Sequence, residues 1–152
     1  MSRNRKIMAV ASEGGHWIQL MRLRPAFEGA DVVYVSTNQA LAKAFGLANF
    51  RYISDANLDK KLKLIWVLLK AFILVIKERP THIITTGAAP GFAVLLCGKF
   101  LGAKTIWIDS IANAEELSSA GRKVSKFADH WLTQWDHLTE KYPGLECKGR
   151  VI

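Results

Sequence analysis

Short apolar runs recur along the chain at 7–11, 32–36, 50–53, 82–86, 105–108 and 130–134, and each reads as a strand. Longer stretches with helical character lie between them, at 16–28, 39–45, 59–78, 91–100 and 118–128. Strands alternating with helices predict a parallel sheet covered on both faces. Right-handed crossovers then give a doubly wound, Rossmann-like strand order in an α/β fold. No repeat or low-complexity linker interrupts the pattern, so 1–152 is expected to be a single domain. The closing stretch Cys147-Lys148-Gly149-Arg150-Val151-Ile152 reads as one more strand or a hinge, and no second domain is expected after it.

Three strand ends carry candidate chemistry. The first strand runs into Ser12-Glu13-Gly14-Gly15-His16, just before a helix. Paired glycines allow a tight turn and bring backbone amides close to a ligand, and a helix N-terminus adds partial positive charge. The place suits a phosphate or pyrophosphate, or it is simply a strand-to-helix turn. It lacks the third glycine of the dinucleotide fingerprint. The fourth strand ends at Thr85-Thr86-Gly87-Ala88-Ala89-Pro90-Gly91, which reads as helix capping on its own. In a doubly wound sheet, however, the first and fourth strands are neighbours across the switch point, so both loops face one cleft. The fifth strand adds Asp109-Ser110 to the same rim. Glu13, His16 and Asp109 are the titratable groups there, and histidine is the side chain best suited to moving protons near neutral pH. Downstream, Arg122, Lys123 and Lys126 are either phosphate contacts or solvated surface.

The stretch 58–79 is more apolar than one sheet contact requires. Two six-residue apolar runs, 64–69 and 71–76, are separated only by Lys70. As a helix, 59–78 spans about 30 Å. Lys63, Lys70 and Lys77 fall on one line, with Lys60 near it, and Ile65, Trp66, Leu69, Phe72, Ile73 and Ile76 lie opposite. Either the helix is buried between the sheet and another element, or it lies on a membrane with its lysines reaching head-group phosphates. The second reading also accounts for a formal net charge of +8 on 152 residues. Basic residues interleaved with exposed aromatics on a sheet face, the mark of an RNA-binding module, are not found, so nucleic acid is not an expected partner. No uninterrupted apolar stretch of about 18 residues appears, so a conventional transmembrane helix is not expected. Neither is a signal peptide, because 7–11 is too short for one. Cys97 and Cys147 offer no disulfide framework; Cys97 reads as a small hydrophobe in a reducing compartment.

Taken in order, the motifs resemble a known family. They are Ser12-Glu13-Gly14-Gly15-His16, Thr85-Thr86-Gly87-Ala88, Ile108-Asp109-Ser110-Ile111-Ala112, Leu117-Ser118, Gly121-Arg122-Lys123, Ala128-Asp129, Gln134-Trp135 and Lys141-Tyr142-Pro143. They are similar to the membrane-anchoring subunit of the two-subunit N-acetylglucosaminyltransferase of N-glycan assembly, and more so to its bacterial counterparts in exopolysaccharide synthesis. The Gly-Gly-His turn also resembles the acceptor-side loop of the peptidoglycan transferase that makes lipid II. The resemblance implies the N-terminal half of a glycosyltransferase-B fold, with a separate subunit supplying the donor half and holding most of the nucleotide-sugar, a UDP-sugar. It implies transfer of the sugar to a polyprenyl-diphosphate-linked glycan, and no activity by this chain alone.

On that reading Gly14 and Gly15 cradle the acceptor diphosphate, with Gly87, Ser110 and Arg122 as further contacts. His16, or failing it Glu13 or Asp109, accepts the proton of the attacking hydroxyl. Lys63, Trp66, Leu69, Lys70, Phe72 and Ile73 face the membrane. No cofactor or metal is implied. A Glu often stands in the family where Asp109 stands here. The N-terminal anchor of eukaryotic members has no counterpart here, which is expected of a bacterial type on the cytoplasmic membrane face. A non-catalytic membrane scaffold for a complete transferase, and an independent nucleotide-binding Rossmann domain, are the alternatives.

Overall fold

The structure, a computed structural model, describes residues 4–55 and 60–151. Seven strands form one sheet: β1 (Lys6–Val10), β2 (Asp31–Ser36), β3 (Phe50–Tyr52), β4 (His82–Thr85), β5 (Lys104–Ile108), β6 (His130–Thr133) and β7 (Glu146–Cys147). Their spatial order is β3-β2-β1-β4-β5-β6-β7, and every neighbouring pair is parallel. The chain therefore reverses its direction of winding between β1 and β4, the expected switch point. The helices are α1 (Gly15–Arg22), α2 (Ala40–Ala44), α3 (Lys61–Glu78), α4 (Ala89–Phe100), α5 (Ser119–Lys123) and α6 (Leu138–Lys141). The expected start of α3 at Asp59 lies outside the described residues.

The period of two along each strand sorts side chains between two cores. Met8, Val10, Val33 and Val35 point to one face, where α3 and α4 cover them. Ala9, Ala11, Tyr34, Ile84 and Ile108 point to the other, against Trp17 and Leu20 of α1. Trp17 anchors this second core, meeting Tyr34, Phe45 and Phe50 edge-on. The α4 helix is buried nearly all round because it lies between the sheet and α3. Gly98 permits this: a Cβ there would overlap the Ile83 side chain. Cys97 is buried, and burial pushes its thiol up to about 11, consistent with a packing role.

α3 adds one narrow stripe to this core, Val67, Ala71 and Val75, spaced four apart. Full burial of each valine contributes about 1.5–3 kcal/mol.

Two expected helices end early. The stretch 16–28 is helical only to Arg22, and a 3-10 turn, Arg24–Phe27, follows. Pro25 is the reason, since it has no N–H and its ring would clash with the carbonyl four residues back. The stretch 118–128 likewise gives way to a 3-10 turn at Val124–Lys126.

Candidate functional site on the strand-end rim

The C-terminal ends of β1, β4 and β5 bring three loops together. After β1, the chain turns through Gly14 at φ +89°, a left-handed conformation that glycine adopts without steric cost. Gly14 caps α1, no side chain caps the helix, and no acidic residue stands in its first turn. Both Gly14 and Gly15 are exposed, and a Cβ on either would meet nothing within 4 Å. The turn that opens α1 is thus exposed and uncrowded, and a helix start of this kind suits an anion.

His16 joins this turn to the β4 loop. Its Nδ1 lies 2.8 Å from the Thr86 carbonyl oxygen. A carbonyl only accepts, so Nδ1 carries the hydrogen and Nε2 keeps the lone pair. Among the described residues Nε2 has no hydrogen-bond partner. The return contacts are short: Thr86 Oγ1 donates to the His16 carbonyl at 2.6 Å, and Ser12 N–H donates to the Gly87 carbonyl at 3.1 Å. A half-buried histidine, fixed in ring orientation and tautomer with one free nitrogen, can accept a proton from a hydroxyl placed beside it.

The other expected site residues have different surroundings. Glu13 is exposed and turns toward the β2 loop, accepting from Asn38 Nδ2 at 2.8 Å. Asp109 is 1% exposed, and both its oxygens are taken. Oδ1 accepts from Trp107 Nε1 and Ser118 Oγ, and Oδ2 accepts from Asn113 Nδ2 and the Ser118 amide. Four donors leave no lone pair aimed at the cleft, so this carboxylate organises the 109–118 loop. Ser110 is also buried, accepting from Gln19 Nε2 and the Ala112 amide.

Arg122 is not brought to the glycine turn. Ser118, bonded to Asp109 on the rim, caps helix α5, and Arg122 stands in the helix's last turn. Arg122 lines a separate depression with Trp131 and Tyr142, 3.7 Å from Glu116. Among the described residues no group of three or more His, Cys, Asp or Glu side chains could hold a metal ion.

The family described as Oligosaccharide biosynthesis protein Alg14 like matches residues 29–151. The chain belongs to that family. The UDP-N-acetylglucosamine transferase subunit alg14 of Schizosaccharomyces pombe is 30% identical over 120 residues, covering 72% of this chain and 56% of the relative. The corresponding subunit of Rattus norvegicus is 24% identical over 180 aligned residues, covering 96% of this chain and 82% of the relative. This chain thus spans little more than half of the yeast relative. Among solved structures, Acinetobacter baumannii MurG superimposes with a TM-score of 0.76 at 14% identity, over 95% of this chain and 45% of MurG. UDP-N-acetylglucosamine 2-epimerase from Rickettsia bellii gives 0.70 at 16% identity, over 97% of this chain and 45% of the epimerase. The fold is therefore a Rossmann-like half of the glycosyltransferase-B architecture, and this member of the Alg14-like family builds its rim on it.

Two buried rim residues are Gln19, which no sequence motif includes, and Gln134, which the Gln134-Trp135 motif includes without a role. Gln19 Oε1 accepts from Gln134 Nε2 at 2.6 Å and from the Ile111 amide at 3.1 Å. Gln134 also donates to the Asp109 carbonyl and accepts from the Val151 amide at 2.7 Å. Helix α1, the β5 loop, the end of β6 and the chain's last described residue are thereby one polar unit. The signal available in sequence was the position of Gln19, one turn after His16 on an otherwise apolar helix face.

The outer face of α3 remains apolar and uncovered. Trp66, Leu69, Phe72 and Ile73 are each between 43 and 56% exposed, and Leu62, Ile65 and Ile76 extend the surface. Lys63 is exposed, whereas Lys70 lies over the Trp66 ring and donates to Ser54 Oγ at 2.7 Å. No described helix is long and apolar enough to cross a membrane.

Proposed function

We propose that this chain is the acceptor-binding subunit of a glycosyltransferase of the exopolysaccharide type. It works on the cytoplasmic face of a membrane with a separate donor-binding subunit. The enzyme moves a sugar from a UDP-sugar, held mainly by the partner, to a polyprenyl-diphosphate-linked glycan. The observation that carries this reading is the pairing of His16 with the open Gly14–Gly15 turn. A diphosphate on the amides of α1 brings an acceptor hydroxyl within reach of His16 Nε2. The hydroxyl oxygen attacks the anomeric carbon, Nε2 takes its proton, and the bond from that carbon to the nucleoside diphosphate breaks. Asp109, Ser110, Gln19 and Gln134 hold the surrounding loops. The exposed apolar face of α3 supports contact with the lipid that carries the acceptor.

The test is reconstitution of this chain with the donor-binding subunit, a labelled UDP-sugar and a polyprenyl-diphosphate acceptor. Label is expected in the lipid product only when both chains are present. Product from the partner alone, at the same rate, leaves this chain a scaffold. Tight nucleotide-sugar binding by this chain alone makes it an independent nucleotide-binding domain.

A further inference from the structure

One cavity lies away from the rim, at the N-terminal ends of β1, β4 and β5 where α3 and α4 finish. It holds about 760 Å³, the volume of a small-molecule site. Arg5, Arg79, Lys104 and His82 line it, with Ile76 and Leu101 among its apolar walls. Among the described residues no carboxylate lines it. The nearest acid in sequence, Glu78, is held by Lys6 at 3.0 Å and Arg51 at 2.7 Å. Among the described residues Arg5, Arg79 and Lys104 have no ion-pair partner and are exposed. Three uncompensated cations around an apolar hollow call for an anionic head on an apolar body.

Arg79 adds to this. It caps α3 at φ +48°, the left-handed conformation in which glycine ordinarily ends a helix. The chain keeps a guanidinium at a position where a bare backbone would be easier.

The apolar walls are not isolated. Ile76 is the last residue of the exposed α3 face, in line with Leu69, Phe72 and Ile73. On the other side Leu101 is 46% exposed and Phe100 75%. The hollow thus interrupts an apolar surface, and among the described residues no Phe, Tyr or Trp lines it.

We propose that this cavity seats the headgroup of an anionic membrane phospholipid. Its phosphate lies among Arg5, Arg79 and Lys104, and its acyl chains leave across Ile76 and Leu101. This rests on the membrane reading above, and names the lipid class and the place that reads it. Because α3 runs from the rim side of the sheet to the cavity side, a headgroup held there sets the tilt of the rim over the bilayer.

The experiment compares co-sedimentation with phosphatidylcholine vesicles and with vesicles that also contain phosphatidylglycerol. The chains compared are the parent, the triple variant Arg5→Gln/Arg79→Gly/Lys104→Gln, and the charge-matched control Lys43→Gln/Lys126→Gln/Lys141→Gln. Glycine at 79 keeps the left-handed cap, so the fold is expected to persist, checked by the urea midpoint. The triple variant should lose about a hundredfold of the affinity gained from phosphatidylglycerol, at about fivefold per basic group. The control should lose less than about threefold, because its lysines lie outside the cavity. Equal losses in the two variants overturn the inference, as does a parent that shows no preference for the anionic vesicles; the membrane reading survives both. A parent that binds neither vesicle overturns the membrane reading as well. If the triple variant loses binding of inorganic phosphate or an oligonucleotide but keeps full vesicle affinity, the cavity is not a lipid site.

Discussion

The imidazole of His16 occupies the ground that a side chain at Gly87 would need. A Cβ built on Gly87 would stand 2.8 Å from His16 Cε1 and Nδ1, and Gly87 is held at φ +114°. Two separate penalties therefore act on any substitution there. We expect Gly87→Ala to cost about 1–2 kcal/mol in urea unfolding through backbone strain alone. It should also turn the ring out of its bond to Thr86, lowering turnover at least about tenfold through lost orientation. Unchanged turnover with the partner present would mean that the ring position does not matter to the reaction.

His16 itself is tested by two substitutions. His16→Ala should lower turnover at least about a hundredfold, the range of a lost general base, while the complex with the partner still forms. His16→Gln keeps a donor for the Thr86 carbonyl but takes no proton near neutral pH. A Gln variant as slow as the Ala variant supports proton transfer. Near-normal turnover in the Gln variant makes the residue a loop tie or phosphate contact.

Asp109 should behave as a structural carboxylate. Asp109→Asn places an amide N–H₂ where one oxygen now accepts two donors, so the fixed N–H of Trp107 or of Ser118 loses its buried acceptor. The expected destabilisation is about 2–3 kcal/mol, read as a lower urea midpoint. Any fall in turnover should follow the folded fraction. Full stability with abolished turnover would return Asp109 to the chemistry.

Much of this architecture was legible before the structure, and the reasons are local. The strand order follows from apolar runs separated by helical stretches, and the rim follows from glycines at strand ends. Helix ends were read less well: 16–28 passes through Pro25, whose effect on the preceding turn outweighs the apolar pattern around it. The role of Asp109 was hidden because Ser118, nine residues on, consumes half of its lone pairs. The Gln19–Gln134 pair spans 115 residues, beyond the reach of any pattern in the chain. The neighbours of Arg122, Trp131 and Tyr142 in one depression, come from packing and not from spacing.

Acid stability should depend on Glu78. Burial acts to raise its carboxyl, but hydrogen bonds from Lys6 and Arg51, with their charges, outweigh that and hold it below the usual value of 4.5. A depressed folded value stabilises the protein above the unfolded one, and the contribution disappears as pH falls through the folded one. The parent should therefore exceed Glu78→Gln in urea midpoint at neutral pH, and the gap should close below pH 4.5. A gap that persists in acid would assign the difference to packing.

The α3 face offers the last prediction. Replacing Trp66, Leu69, Phe72 and Ile73 with Ser removes side chains that are about half exposed and leaves Val67, Ala71 and Val75 in place. The variant should fold, keep its far-ultraviolet circular dichroism, and lose vesicle binding. Unfolding or aggregation would show that the face supports the core.

Both flanks of the sheet end in very short strands, three residues in β3 and two in β7. An unpaired flank is the ordinary way for one sheet to recruit a strand from another chain, and brevity denies it. A sheet of this shape is closed to growth without being a barrel. Any protein that assembles with it gains little main-chain pairing and has to be recognised by loops and helix faces, so the rim and α3 are where co-evolving substitutions should gather.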